Sequence, residues 1–284
     1  MTTIWSILLA ILIFGCIIAI HEFGRFIAAK RNGIQVNEFA IGMGPKIFHF
    51  QKGETLYSLR LFPVGGFCSM EGEDAESKNA RAFDQKPVWR RMIVVLAGAF
   101  MNLVLGFVLL IATTCSDPYL ISNTIHGFHE QATSNTCGLQ TGDTIVSLNG
   151  SHIFTITDLQ YKLSNESGEP FTVVVERDGK KVKLQDVTFR DQETNDWLDF
   201  SLEPQQKTVF HVLSYAAKDT VATGKLIWMS LTELVTGKYG IQDLSGPVGT
   251  VEVISNAAPA GATAAERISS VLHLTIVITI NVGI

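Results

Sequence analysis

The stretch TIWSILLAILIFGCIIAIHEFGRFIAAK, residues 3–30, decides the fold of this chain. Residues 3–20 carry no charge, and a helix needs about 20 apolar residues to cross the hydrocarbon of a bilayer. A secretory signal peptide is the alternative, but no basic residues precede the run and no small-residue cleavage site follows it. Because the helical pattern continues past His21, we predict a membrane-spanning helix over residues 1–31.

Two more apolar runs follow. Residues 92–114 carry no charge, and residues 268–284 are still apolar where the sequence stops. The whole chain is 46% hydrophobic and only 17% charged, whereas soluble domains carry about 25% charged residues. We therefore expect a lipid-bilayer protein whose third span is incomplete in a truncated sequence.

The distribution of charge predicts the orientation in the membrane. Residues 30–91 hold 10 Lys and Arg against 7 Asp and Glu, and residues 116–205 hold 6 against 14. The positive-inside rule then places the first segment in the cytoplasm, and both the N-terminus and residues 116–205 outside. A net charge of −5 without a basic patch argues against a nucleic-acid partner.

The outer segment has the pattern of a small β-rich domain. Its sequence FTVVVERDGKKVKLQDVTF alternates in polarity and turns at Asp178-Gly179, as β-hairpins do. The series Gly138-Leu139, Gly142-Asp143 and Asn149-Gly150 resembles a PDZ domain, a module that binds extended peptides by strand addition. Gly138 and Leu139 are our candidates for its peptide groove, and a generic β-sandwich is the alternative.

Residues 46–70 are rich in β-branched and aromatic residues and predict two or three strands. They could form a plain cytoplasmic hairpin. Alternatively, they could form a membrane-dipping β element whose free edge holds an extended substrate. Further along, residues 212–236 predict an amphipathic surface helix.

His21 and Glu22 lie at the inner end of the first helix, where ionisable residues are costly and usually functional. A His-Glu pair opens the motif HExxH, whose two His bind Zn²⁺ while the Glu activates its water. Here the second His position holds Arg25, which has no lone pair for a metal. Arg25 can instead pair with Glu22 at i,i+3, so a helix-end polar cluster is the competing interpretation.

Six blocks in order carry a family resemblance. They are HEFG (21–24), FAIGMGPKIF (39–48), FPVGGFCSM (62–70), LAGAFMNLVLGF (96–107), the PDZ-like segment and SGPVGTVEVI (245–254). This series resembles the bacterial site-2 protease family of intramembrane zinc metalloproteases, of the regulator-of-sigma-E protease type. The resemblance implies a bacterial cytoplasmic-membrane enzyme that cleaves single-pass membrane proteins in regulated intramembrane proteolysis. Its substrates would be anti-sigma factors or signal-peptide remnants.

The resemblance also implies roles for residues. His21 would be a zinc ligand, Glu22 the general base, and the substrate would lie against Val64, Gly65, Gly66, Phe67 and Asn102. Arg25 stands where the family has its second His, and Ala99 stands where the family usually has Pro. The family's third ligand, an Asp in an Asp-Gly block, is absent, and we expect the chain to bind zinc poorly.

The expected fold class is a multi-pass α-helical membrane protein with a membrane-associated β-sheet and an inserted extracytoplasmic PDZ-like domain. Three functions remain open: a zinc endopeptidase, a pseudo-protease that binds membrane peptides through its β edge and PDZ domain, and a scaffold. The predicted segments are the first span (1–31), the β region (32–91), the second span (92–115), the PDZ-like domain (116–205), the surface helix with a linker (206–267), and the third span (268–284).

Overall fold

The computed structural model describes residues 3–165, 170–190, 198–236 and 264–284. The chain divides into two compact units, which we call the first unit (Met1–Leu109 with Tyr239–Ile284) and the second unit (Leu110–Lys238). In chain order, the elements of the described residues are α1 (Thr3–Arg31), β1 (Val36–Lys52), β2 (Thr55–Met70), α2 (Val88–Ser116), β3 (Leu120–Phe128), β4 (Thr144–Leu148), β5 (Ser151–His152), α3 (Ile156–Asn165), β6 (Phe171–Arg177), β7 (Lys180–Val187), β8 (Phe200–Gln205), α4 (Val209–Val235) and α5 (Ala264–Gly283).

The predicted apolar helices are confirmed as helices. Leu8–Arg31 and Val88–Ser116 are long and apolar enough to cross a membrane, and the apolar part of α5 is shorter, Ile268–Gly283. α2 begins directly after Pro87, where proline's missing N–H costs no helical hydrogen bond. The block SGPVGTVEVI, residues 245–254, lies outside the described residues.

Glycines allow the helices of the first unit to pack closely. A Cβ on Gly24 of α1 would lie 2.4 Å from the carbonyl oxygen of Ala97 in α2. A Cβ on Gly106 of α2 would lie 2.6 Å from Ile280 of α5. Small residues at such crossings let backbones approach, as they do between transmembrane helices.

The two long strands β1 and β2 fold back on themselves into a sheet with four ladder segments. Phe39 pairs with both Cys68 and Tyr57, while Leu59 pairs with both Ile41 and Phe48. The segments therefore lie in the order 46–52, 55–60, 36–41 and 66–70. Within the described residues, segment 66–70 pairs on one side only and forms an edge of the sheet.

Close backbone contacts fix this sheet and its position against α1. A Cβ on Gly66 would lie 2.7 Å from the Ala40 oxygen, and one on Gly15 would lie 2.2 Å from the Pro63 oxygen. Side chains at these two positions would separate the edge segment from its neighbour and β2 from α1. The predicted strands in residues 46–70 are confirmed, and β1 begins ten residues earlier than predicted.

The second unit contains an antiparallel sheet of order β7-β6-β4-β3-β8, with β5 paired to β4. Its core is built on the inward side chains of these strands and of α3, among them Ile145, Leu148, Leu159, Val173 and Phe200. The predicted hairpin is confirmed: Asp178 and Gly179 have φ of 51° and 72° between β6 and β7. Positive φ at both turn residues matches the right-handed twist of the strands.

α4 belongs to the second unit. Thr208 caps its N-terminus by accepting a hydrogen bond from the His211 amide, 3.2 Å. Asp219 on its buried face accepts hydrogen bonds from the hydroxyls of Thr155, at 2.7 Å, and Thr157, at 2.9 Å. These contacts hold α4 against the start of α3, so the helix is packed on the β domain instead of standing apart from it.

Candidate functional site

The centre of the candidate site is the carboxylate of Glu22, one helical turn before Arg25 on α1. Arg25 Nη1 donates to Glu22 Oε2 at 2.9 Å, which confirms the i,i+3 ion pair predicted from the spacing. Glu22 is 9% exposed. A buried carboxylate needs a partner, and here Arg25 supplies it.

Arg25 has a second carboxylate partner that the sequence did not reveal. Its Nη2 donates to Glu73 Oε1, and Glu73 lies just beyond the end of β2. The guanidinium thus bridges two carboxylates from segments far apart in the chain. Since an Arg fork offers several donors in one plane, it can serve both acceptors at once.

The same Glu22 oxygen also accepts a hydrogen bond from the sheet. The amide of Cys68, on edge segment 66–70, donates to Glu22 Oε2 at 3.1 Å. The carboxylate therefore occupies the backbone position to which an added strand would bond. The Cys68 thiol is buried beside this contact, and burial raises its pKa to about 12.

His21 lies between α1 and α2, away from the Arg25 contacts. Its Nδ1 is 3.4 Å from Asn102 Nδ2, and Asn102 is fully buried with Oδ1 lacking a hydrogen-bond partner. With the imidazole proton on Nε2, His21 Nδ1 accepts this hydrogen bond from the Asn102 amide. A Cβ on Gly98 would lie 2.4 Å from His21 Nε2, so the imidazole occupies space that only glycine leaves free.

The donor set around Glu22 does not fit a zinc ion. His21 supplies one imidazole, and Arg25 cannot ligate because its guanidinium stays protonated. Among the described residues, no group of three or more His, Cys, Asp or Glu side chains could hold a metal ion. A catalytic zinc site takes three protein ligands, so no step of a reaction is assigned to zinc in this chain.

Four of the five predicted substrate residues lie on β2 next to α1, while Asn102 lies on α2 beside His21. Gly65 has φ of 73°, and a Cβ there would lie 3.6 Å from Ile18, one turn before Glu22. Val64 is 41% exposed, and the Arg60 guanidinium lies 4.7 Å from the centre of the Phe67 ring. The structure thus brings Gly65, Gly66 and Phe67 to the edge segment that contacts Glu22.

The two predicted groove residues of the second unit have other surroundings. Leu139 is 2% exposed within the core, and the Gly138 carbonyl accepts a hydrogen bond from Arg177 at 2.9 Å. Neither lines the 440 Å³ cavity that opens between β8 and α3. That cavity is lined mainly by apolar side chains: Tyr119, Ile121, Ile156, Leu198, Phe200, Leu202 and Pro204, with Ser201.

Comparison with known proteins identifies the lineage. The profile of Peptidase family M50 matches residues 9–284. The chain is 35% identical over 260 residues to a Clostridium acetobutylicum protein with the provisional name zinc metalloprotease; the match covers 90% of this chain and 76% of that protein.

A second relative is the Regulator of sigma-W protease RasP of Bacillus subtilis. It is 28% identical over 369 aligned positions, which cover 98% of this chain and 85% of that protein. The chain belongs to peptidase family M50, the family of the site-2 zinc metalloproteases.

Proposed function

We propose that this protein acts on the membrane segments of single-pass membrane proteins. It descends from intramembrane endopeptidases of regulated proteolysis. Its substrate class would be anti-sigma factors or signal-peptide remnants, in keeping with a relative named for the regulation of sigma-W. The observation that carries the proposal is the contact between Glu22 and the amide of Cys68. This contact supports the proposal because the general-base candidate then lies against edge segment 66–70, a backbone row that an extended peptide could join.

The topology that suits this function is the one predicted from charge. α1 and α2 cross the bacterial cytoplasmic membrane, the β1–β2 sheet lies on the inner side, and the second unit lies outside. The second unit acts as a PDZ-like filter for peptides. Its groove is better assigned to the cavity between β8 and α3 than to Gly138 and Leu139, because that cavity joins a strand edge to apolar side chains.

A specific observation favours capture without hydrolysis in this chain. Arg25 neutralises Glu22 and ties it to Glu73, whereas a general base needs a free carboxylate beside activated water. The chain then binds an extended membrane segment at edge segment 66–70 and releases it uncut. Before a peptide binds, Glu22 occupies the Cys68 amide of edge segment 66–70, and an incoming peptide strand displaces it.

Site-specific photo-crosslinking tests the binding edge. The full chain is placed in lipid nanodiscs with a synthetic signal-peptide remnant, and a photoreactive amino acid replaces Phe67 or, as the matched control, Lys52 on the opposite side of the sheet. We expect the peptide to crosslink at position 67 and not at position 52. Equal crosslinking at both positions, or none at 67, would contradict the assignment of the edge.

Metal analysis tests the state of the site. We expect the purified chain to hold less than one zinc ion per chain and to leave the peptide intact. Arg25→His alone should not change this, because the described residues offer no third ligand. Stoichiometric zinc with chelator-sensitive cleavage in the unaltered chain would show that it is an active protease.

A further inference from the structure

A groove runs along one face of α2, near the start of the helix. It has a volume of about 440 Å³ and is lined by Phe83, Val88, Arg91, Met92, Val95 and Leu96. Positions 88, 91–92 and 95–96 lie one turn apart and share a helical face. The four aliphatic side chains of this face are 55–61% exposed, which in water would be an unfavourable apolar patch.

Arg91 is the only charged residue in the lining of this groove. Within the described part of the chain, its side chain has no hydrogen bond or ion pair, and its Nε is buried without a partner. A buried polar donor without an acceptor is rare in folded proteins and indicates a missing partner. The first turn of α2 also contains no acidic residue that could neutralise it.

The neighbouring Arg90 also has a buried Nε without a partner, but its guanidinium makes other contacts. The Arg90 guanidinium lies 5.0 Å from the ring centre of Trp89, and its Nη1 donates to the Asn32 carbonyl at 3.4 Å. Arg90 is therefore held against the protein. Arg91 differs from Arg90 in two respects: its whole guanidinium is unpaired among the described residues, and it lines the apolar groove.

We propose that this groove binds one anionic phospholipid, with an acyl chain along Met92, Val95 and Leu96 and the phosphate on Arg91. The groove lies on a helix that is long and apolar enough to span a membrane, so its exposed face meets lipid. A guanidinium binds phosphate oxygens through two parallel hydrogen bonds. A peptide or a second copy of the chain could satisfy the apolar face but would have to bring a buried carboxylate to Arg91.

Native mass spectrometry of the full chain tests the proposal. The protein is released from nanodiscs made of equal parts phosphatidylglycerol and phosphatidylcholine, and the lipid that remains bound is identified. We expect one retained phosphatidylglycerol, and Arg91→Gln should weaken its retention about tenfold, the effect of losing one charged hydrogen-bonding partner. Arg31→Gln, at the end of α1, removes an equal charge outside the groove and should leave retention unchanged.

A second variant keeps the charge and fills the groove. Val95→Trp retains Arg91 but blocks the acyl-chain path, so it should lower phosphatidylglycerol retention as Arg91→Gln does. Equal losses in Arg31→Gln and Arg91→Gln would mean general charge attraction and overturn the proposal. Retention unaffected by Val95→Trp, or a lipid-independent dimer that Arg91→Gln dissociates, would overturn it as well.

Discussion

Each unit of the molecule holds an arginine against a buried carboxylate, and the two contacts have opposite consequences. In the second unit, Arg177 binds Asp143 through Nε and Nη2, both at 2.7 Å, and Asp143 is fully buried. In the first unit, Arg25 divides its donors between Glu22 and Glu73. Arg177 therefore binds one carboxylate through two nitrogens, whereas Arg25 bridges two carboxylates.

The difference shows that chemistry depends on where such a pair stands. Asp143 also accepts a hydrogen bond from the Gln140 amide. Because the next residue, Thr144, pairs with Glu176, the contact between Asp143 and Arg177 fastens β4 to β6. Arg25 stands at the position where HExxH places a ligand, so the position offers no metal donor, and its guanidinium engages the Glu22 carboxylate. One arginine stabilises a sheet, while the other changes what a site can do.

The largest effect is expected from breaking the pair in the second unit. Arg177→Met leaves the Asp143 charge buried without its partner and should cost about 3 kcal/mol, near the lower end for buried pairs because Arg177 is partly exposed. Amide hydrogen exchange in β4 and β6 of the full chain should accelerate about a hundredfold. Lys180→Met changes an exposed residue of the same hairpin and is the control; a change below threefold in Arg177→Met would contradict the comparison.

A smaller, local effect is expected from Arg25→Met. Glu22 and Glu73 lose their shared cation. The free energy needed to open edge segment 66–70 should therefore fall by about 1–2 kcal/mol. In a background with Cys16, Cys115 and Cys137 replaced by Ser, maleimide should modify Cys68 about ten times faster. If Arg31→Met, on the same helix, accelerates labelling equally, the bridge does not hold the edge.

The smallest effect is expected from the exposed pair at Glu54. Hydrogen bonds from Arg81 and Lys30 lower the pKa of Glu54 to about 2, so these contacts stabilise the fold fully above pH 4.5 and fade as pH falls through 2. Partial exposure limits the gain to at most about 1 kcal/mol. Glu54→Gln should lower the melting temperature slightly at pH 7. The difference in melting temperature from the unaltered chain should shrink towards pH 2. A difference that stays constant with pH would rule out these contacts as its cause.

The sequence predicted the features that depend on local pattern. Apolar length predicted the long helices: the apolar run of residues 92–114 falls inside α2. Turn chemistry gave the hairpin at Asp178-Gly179, and the i,i+3 spacing gave the contact between Glu22 and Arg25. Each of these follows from residues within a few positions of one another.

The rest depends on contacts across long stretches of chain. Glu73 is 48 residues from Arg25, and nothing in the pattern around it marks it as a partner. The donor from Cys68 is a backbone amide, which every non-proline residue has, so its role comes from the register of the sheet alone. The cavity beside Ile156 cannot be predicted from local pattern, because strands distant in sequence, β3 and β8, form its wall.

The register of the β1–β2 sheet has a consequence for the order in which the chain folds. The ladder between Lys52 and Thr55 closes through a tight turn, while Val36 meets Met70 only after the whole length of β2 has turned back. Closing a long loop costs more entropy than closing a short one, so we expect the outer hairpin to form first and segment 66–70 to dock last. Pulse labelling during refolding would show amide protection at Gln51 before Met70, and the opposite order would exclude this sequence of events. On this route, the strand that brings Cys68 to Glu22 is the last to arrive, so the candidate site is completed only when the sheet is.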